Sequence, residues 1–153
     1  MTMLQLDSKD STLQVVIYRL GNERYGVETS QVKEIIRVGE ITSIPNAPDY
    51  VEGVINLRGQ ITTIINLRKR FGMEPKDVDN DTRIIVFDHN GSTVGMMVDT
   101  VTEVKYLSIS DIEALPSTIT ARSESKFLKG VGKLPDGLLI LVDLNKILED
   151  TAM

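Results

Sequence analysis

Two stretches of this chain are near-copies of each other. "YVEGVINLRGQITTIINLRKRF" spans residues 50–71, and "FLKGVGKLPDGLLILVDLNKIL" spans residues 127–148. They align without a gap at an offset of 77 residues, and each has two apolar runs on either side of a turn sequence. This pattern predicts a β-hairpin in each copy. Asn66 and Asp143 follow the second apolar run and can cap a short helix, so each hairpin is expected to lead into one.

The sequence upstream of each copy is repeated as well. "VVIYRLGNERYGVETSQVKEI" begins at Val15 and aligns with "IIVFDHNGSTVGMMVDTVTEV", which begins at Ile84, at an offset of 69 residues. Gly21-Asn22 and Asn90-Gly91 predict a tight hairpin turn in each copy. The second strand of each hairpin is expected to end in a short helical turn, beginning near residues 29 and 99.

The two offsets differ by eight residues, so the second half carries an eight-residue insertion, expected as a loop between Leu107 and Phe127. We interpret residues 1–153 as a single domain made of two duplicated units, at about residues 13–72 and 82–148. Exchange of strands between the two units stays open. The alternative to duplication is chance similarity between β-rich segments.

The density of short apolar runs and turn residues, with no long helix, predicts a mainly β protein built from small barrels or a sandwich. The run Val15–Tyr18 does not alternate between apolar and polar residues, which is typical of strands covered on both faces. Two small barrels packed against each other would provide that cover. They would also share the core that a unit of about 60 residues struggles to build alone.

The composition disfavours several classes of function. The chain has no cysteine, which excludes disulfides, thiolate catalysis and cysteine–zinc sites. No apolar run approaches the roughly 20 residues of a membrane-spanning helix. Residues 1–14 lack the pattern of a secretory signal, so a cytosolic location is the simplest expectation. A net charge of −5 and the absence of tryptophan argue against a general nucleic-acid binder.

The two repeated hairpins differ at their tips. The first has Arg58-Gly59, and the second has Pro135-Asp136-Gly137, which is ordinary turn chemistry. The fold therefore does not need an arginine at this position. A guanidinium at a hairpin tip is suited to paired hydrogen bonds with a partner's carboxylate or carbonyl groups. A solvated surface arginine is the equally weighted alternative.

Three stretches together resemble the chemotaxis coupling protein (CheW) family: "YGVETSQVKEI", the first repeated hairpin with its "NLRG" turn, and "VGMMVDTVTEV". The resemblance runs from about Leu13 to Glu149. It implies two packed SH3-like β-barrels of five strands each, with short helical turns and a C-terminal helix. It also implies an adaptor without catalytic activity or cofactor.

The partners implied by this resemblance are the histidine kinase CheA, through its CheW-like regulatory domain, and the cytoplasmic tips of transmembrane chemoreceptors. The protein would be cytoplasmic, monomeric alone, and assembled in receptor arrays at the inner face of the membrane without inserting into it. Carried over position by position, the partner-binding residues are Val32, Glu34, Asn56 and Arg58, with Gly95, Val98, Val101 and Val104 at the edge of the receptor groove. An alternative for Glu34 is a place on the solvated face of a short helix, because its counterpart Glu103 is also glutamate.

The chain departs from the family pattern at Asn66, where many relatives have aspartate, and at "TTII", which replaces an apolar–proline run. These departures concern local stability rather than coupling.

Two further motifs are set aside. Asp77, Asp79 and Asp81 have the carboxylate spacing of a calcium loop, but Thr82 stands where that loop needs glycine. An acidic linker is the preferred interpretation, and no metal site is predicted. His89 is the one histidine in the chain and is expected on the surface of a hairpin tip.

Two alternatives to the coupling function stay open. One is a paralogue in the same family that serves a chemosensory pathway other than motility. The other is a small-barrel nucleic-acid-binding protein that uses Arg68 and Arg70. The acidic net charge favours pairing of these arginines with nearby acids or with a partner's acidic face instead.

Overall fold

The computed structural model describes residues 11–149, which form two mixed β-sheets and three short helices. The strands are β1 Thr12–Leu20, β2 Glu23–Glu28, β3 Glu34–Arg37, β4 Val51–Leu57, β5 Gln60–Asn66, β6 Arg83–His89, β7 Ser92–Val98, β8 Thr100–Ser108, β9 Ile112–Glu113, β10 Leu128–Leu134 and β11 Gly137–Val142. The helices are α1 Leu67–Arg70, α2 Ser117–Thr120 and α3 Leu144–Leu148. In this part of the chain, no helix has the length and hydrophobicity needed to cross a bilayer.

Four hairpins form as the turn sequences predict, pairing β1 with β2, β4 with β5, β6 with β7 and β10 with β11. Asn66 and Asp143 cap the helices that follow: their side chains accept hydrogen bonds from the Lys69 and Lys146 amides, each at 3.2 Å. Both predicted caps are therefore confirmed, and each helix begins where its hairpin ends.

The order of strands mixes the two halves of the chain. The six-stranded sheet runs β8-β1-β2-β11-β10-β9, and the five-stranded sheet runs β3-β6-β7-β5-β4. Each sheet thus takes its first hairpin from one half of the sequence and its other strands from the other half. The hairpins join through parallel pairs at aligned positions, Tyr25 with Ile140 and Val94 with Thr63. The two sheets therefore do not correspond to the two sequence repeats on either side of the linker.

Each sheet curls so that strands far apart in the sheet order come into contact. β3 and β4 are opposite edges of the five-stranded sheet, yet Glu34 on β3 contacts Arg58 in the turn after β4. In the six-stranded sheet, a Cβ placed at Gly132 on β10 would lie 2.7 Å from Leu107 on β8, so these distant strands are also in contact. The predicted pair of packed barrels is confirmed, with six and five strands rather than five each; β9 is the extra strand.

The interior is divided into three clusters of buried side chains. A large cluster, which includes Tyr18, Tyr25, Phe71 and Phe127, joins residues of both sheets. Each barrel also has a small interior of its own, centred on Val15 and Ile17 in one and on Ile84 in the other. Burial of the shared cluster is what gives two small barrels a core of adequate size.

Three local predictions were wrong or incomplete. The helical turn expected from residue 29 is a single 3₁₀ turn, Thr29–Gln31, followed by β3. The one expected near residue 99 does not form, because the Asp99 carboxylate accepts the Gly21 amide at 2.8 Å and the next nine residues pair with β1. The insertion is not a plain loop, since the segment that holds it contains β9, α2 and two 3₁₀ turns.

Candidate functional site

Arg58 lies at the tip of the β4–β5 hairpin in a left-handed backbone conformation, with φ of 53°. Gly59 follows with φ of 85°, so both central residues of the turn have positive φ. Such turns favour asparagine, aspartate or glycine at the first position, and an arginine there is strained. The Asn56 side chain supports the turn by accepting a hydrogen bond from the Gly59 amide at 2.9 Å.

The Arg58 guanidinium is oriented by Glu34. Its Nη1 donates a hydrogen bond to the Glu34 carboxylate, which lies on β3 across the closure of the barrel. Glu34 is 19% exposed at its side chain, whereas Arg58 is 73% exposed. The carboxylate thus fixes the arginine from beneath while most of the guanidinium faces solvent. The structure brings together three of the predicted site residues: Glu34, Asn56 and Arg58. It places Glu34 on a strand, so the alternative of a helix face is wrong.

The remaining predicted residues lie elsewhere and differ in burial. Val32 and Val101 are partly buried against the large shared cluster. Val104 is 50% exposed on β8, which pairs with one neighbouring strand in the sheet order. Val98 is buried, and a Cβ placed at Gly95 would lie 2.6 Å from Ile84, inside the barrel. Of the residues predicted at the groove edge, Val101 and Val104 are at least partly exposed to solvent, whereas Gly95 and Val98 lie in the interior.

Sequence reasoning missed two exposed apolar residues on edge strands. Ile35 on β3 is 38% exposed and aligns with Val104 at the 69-residue offset, and Tyr106 on β8 is 71% exposed. Ile35 and Val104 are apolar in both repeats, and that agreement was the available signal; Tyr106 aligns with Arg37, so no such signal existed for it. The exposed apolar side chains on β8, Val104 and Tyr106, are the kind of surface that binds other proteins.

The basic cluster on α1 is occupied within the molecule. The Arg68 guanidinium forms two hydrogen bonds with the Asp99 carboxylate, at 2.7 and 2.6 Å, and Lys69 pairs with Glu52 at 3.4 Å. Burial alone would raise the pKa of Asp99, but the Arg68 guanidinium and the Gly21 amide outweigh burial and lower it. The expected pairing with nearby acids is confirmed for Arg68 and Lys69. It is wrong for Arg70, whose guanidinium donates to two backbone carbonyls instead. With its cations paired in this way, this surface is poorly suited to phosphate.

The acidic linker holds itself together. The Lys76 ammonium, together with the Asp81 amide and the Thr82 hydroxyl, lowers the pKa of Asp79 to about 2. Within residues 11–149, no three acidic or histidine side chains cluster closely enough to hold a metal ion. The linker is therefore a hydrogen-bonded turn.

Within residues 11–149, a cavity of about 480 Å³ lies beside the insertion, between the β1–β2 turn and α2. Two arginines on its wall are neutralised: Arg24 pairs with Asp136 at 3.1 Å, and Arg122 pairs with Glu23 at 2.7 Å. The lining includes neither a nucleophile beside a base nor a histidine. This arrangement is that of a structural cleft rather than a reaction centre.

Comparison with known proteins agrees with the resemblance found in the sequence. Residues 14–152 match the family model of the CheW-like domain. A chemotaxis protein CheW from Klebsiella aerogenes is 37% identical over 153 residues, covering 99% of this chain and 91% of the relative. A chemotaxis protein CheW from Helicobacter pylori is 31% identical over 143 residues, covering 94% and 86%. The crystal structure of the scaffolding protein TtCheW from Thermoanaerobacter tengcongensis superposes with a TM-score of 0.83 at 34% identity, covering 92% of this chain and 95% of that one.

Proposed function

Because this chain belongs to the CheW-like family of non-enzymatic chemotaxis scaffolds, we propose that it couples transmembrane chemoreceptors to the histidine kinase CheA in the cytoplasm. In this proposal one surface binds the CheW-like regulatory domain of the kinase and another binds the cytoplasmic tip of a receptor. The protein acts as a monomer that joins receptor arrays at the membrane without inserting into it.

The observation that carries the proposal is the strained, exposed and oriented Arg58. A surface ion pair of this kind contributes about 0–1 kcal/mol to folding, which does not exceed the roughly 1 kcal/mol cost of a non-glycine residue in a left-handed conformation. The aligned turn of the second hairpin forms with Pro135 instead. An arginine retained at a net cost to folding supports a role in binding, where a rigidly held guanidinium can meet a partner's carboxylate.

The apolar edge of β8 supports the receptor half of the proposal. Val104 and Tyr106 are exposed there, and Val101 continues the same strand towards the shared core. A helical receptor tip would bury its apolar stripe against such an edge, as amphipathic helices do in grooves. Control of the kinase then requires that the two receptor states bind this surface with different affinities.

The test is titration calorimetry of the full chain against the regulatory domain of the kinase, with Arg58→Ala in parallel. We expect wild-type binding and at least a tenfold loss in the variant, which corresponds to about 1.4 kcal/mol. The matched control is Asp136→Ala, which removes an exposed charge from the aligned turn of the other hairpin. Circular dichroism establishes that all three proteins are folded.

An Arg58→Ala variant that binds as tightly as wild type would return Arg58 to turn chemistry and leave the adaptor role in place. Absence of wild-type binding to the kinase domain would overturn the proposed coupling. An equal loss in Asp136→Ala would mean that the loss of affinity is not specific to the oriented guanidinium.

A further inference from the structure

Arg70, the last residue of α1, reaches from the five-stranded half of the molecule to the C-terminal helix. Its Nε donates a hydrogen bond to the Ile147 carbonyl at 2.9 Å, and its Nη2 donates to the Glu149 carbonyl at 2.7 Å. The guanidinium lies over the Tyr50 ring, 4.3 Å from its centre, and over the Phe127 ring, 4.8 Å from its centre. One side chain therefore contacts a helix end and two rings at once.

Each contact uses a property that distinguishes arginine from other side chains. The last carbonyls of a helix have no N–H partner within the helix, and a guanidinium supplies two donors in a fixed plane. The faces of that plane are free to stack on aromatic rings. Because the geometry is directional, it specifies an angle between the elements, whereas burial of apolar surface does not.

The Phe127 side of this contact belongs to the six-stranded half. Phe127 is buried, and its ring stacks on Phe71 with centres 5.5 Å apart and planes 9° apart. Its carbonyl accepts the Asp143 amide at 2.8 Å, at the start of α3. Arg70 therefore contacts the end of the C-terminal helix directly and its start through Phe127.

The contact is one-sided with respect to the repeat. At the offset of 77 residues, Arg70 aligns with Ile147, which is fully buried in the shared cluster. The packing of α1 and α3 therefore has no second, equivalent arginine at the aligned position. Arg70 thus adds a directional contact to one side of an otherwise apolar packing of the two helices.

We propose that Arg70 is a positioning residue that fixes the orientation of the six-stranded sheet relative to the five-stranded sheet. The Glu34–Arg58 site lies on the five-stranded sheet, and the exposed edge of β8 lies on the six-stranded one. Arg70 therefore sets the relation between the two proposed partner surfaces. This functional consequence rests on the proposed coupling role, whereas the orientation itself does not.

Three variants of the full chain test the inference. Arg70→Met keeps an apolar stem and removes the hydrogen bonds, and Arg70→Lys keeps the charge but cannot donate in a plane to two carbonyls. Both are expected to fold, because Leu144, Ile147 and Leu148 stay buried. The matched control is Lys126→Met, which removes a cation from the same Phe127 ring, 5.2 Å away, within the half that contains the ring.

The structural readout is the relative orientation of the two sheets, from residual dipolar couplings, together with hydrogen exchange of the α3 amides. We expect both Arg70 variants to change the orientation and to exchange the Ile147 and Glu149 amides at least tenfold faster, with Lys126→Met unchanged. Wild-type couplings and protection in Arg70→Met would overturn the inference. A change of the same size in Lys126→Met would assign the effect to the ring contact and also overturn it.

The functional readout compares binary binding with coupling. We expect each Arg70 variant to bind the kinase regulatory domain and a receptor tip fragment, measured separately, within threefold of wild type. Receptor control of kinase activity in the ternary assembly is expected to fall at least fivefold. A changed orientation with wild-type control would overturn the functional consequence. Wild-type protein that binds neither partner would overturn the coupling role itself, and the dipolar couplings would still decide the orientation.

Discussion

The β4–β5 and β10–β11 hairpins align residue for residue, yet the side chains at their tips carry opposite charges. In the first, a positively charged Arg58 extends from a left-handed turn and is oriented by Glu34. In the second, the negatively charged Asp136 accepts hydrogen bonds from Arg24 at 3.1 and 3.3 Å. A hairpin requires a backbone that can turn, and it leaves the charge at the tip free to vary. The tips are therefore where the two aligned hairpins differ in charge and in the side chain that they contact.

The interiors of the two halves show a second contrast. Aligned positions keep the same architecture but differ in how closely the backbones approach. Gly53 has φ of 146°, and a Cβ there would lie 2.1 Å from the Thr42 carbonyl oxygen. At its counterpart Gly130, the Cβ would lie 3.1 Å from the Glu113 carbonyl oxygen. The two halves therefore differ in how well they can accommodate a side chain at aligned glycine positions.

The largest expected effect breaks this glycine pair. We expect Gly53→Ala to lower the free energy of unfolding by about 3 kcal/mol, because the new methyl meets backbone that cannot rotate away. Gly130→Ala should cost about 1 kcal/mol, since a shift of a few tenths of an ångström relieves its contact. Urea denaturation of both variants measures the difference. Equal losses would show that the two close approaches are equivalent.

A third contrast concerns the side-chain pairing of the helices that follow the two hairpins. Arg68 and Asp99 align with Asn145 and Ser30, which instead line an open cavity of about 280 Å³. Because the pKa of Asp99 is lower in the folded state, its stabilising contribution is present above the ordinary aspartate range and is lost as pH falls through the folded value.

We therefore expect Asp99→Asn to reduce stability by about 2 kcal/mol at pH 7, between the values for surface and buried pairs. The difference from wild type should shrink below about pH 4, as the wild-type carboxylate becomes protonated. Denaturation curves at pH 7 and pH 3 measure it, with Asp136→Asn as an exposed control. A gap that stays constant with pH would show that shape, rather than charge, matters here.

The next effect is a gain in stability. Thr62 is fully buried in the five-stranded barrel, and its hydroxyl has no hydrogen-bond partner among residues 11–149. Its aligned position in the other barrel is Leu139, also fully buried. We expect Thr62→Val to raise the melting temperature and to stabilise by about 1 kcal/mol, because an unpaired buried hydroxyl is removed without changing the shape. A loss of stability would mean that the hydroxyl is hydrogen-bonded in solution.

The smallest effect on folding should come from the residue with the largest proposed effect on binding. Asparagine is the favoured residue for the left-handed position of Arg58, so Arg58→Asn should stabilise the fold by about 0.5 kcal/mol. The same variant should lose kinase binding as Arg58→Ala does. Thermal unfolding and calorimetry on one preparation give both numbers. Unchanged binding together with higher stability would remove the reason for an arginine at this tip.

The predicted hairpin turns and helix caps, which depend on neighbouring residues, were accurate. Asn90-Gly91 forms the β6–β7 turn with φ of 52° and 82°, and Asn66 caps α1 through its own side chain. Predictions that depend on a distant partner were less successful. Asp99 was expected to cap a helical turn, but it is engaged by Gly21 and Arg68 from elsewhere in the chain.

The same limit applies to the site. The sequence places Val98 and Val104 on one apolar pattern, and only the curl of the sheets buries Val98 and exposes Val104. Gly95 has no side chain to carry information about its surroundings, and its contact with Ile84 is a property of packing. Motif similarity therefore does not separate exposed positions, which are available to a partner, from positions that shape the barrel.

The sequence by itself determined the hairpins, their turns and the helix caps, because each arises from hydrogen bonds and backbone preferences among adjacent residues. It also determined the two repeat offsets, which follow from aligning the chain with itself. Only the tertiary structure decided which hairpin joins which sheet, since the parallel contacts of Tyr25 with Ile140 and Val94 with Thr63 connect distant parts of the chain. Both repeats carry compatible strands, and local preference cannot choose between partners of the same pattern. The choice is made by burial of one shared core, which is a property of the whole chain.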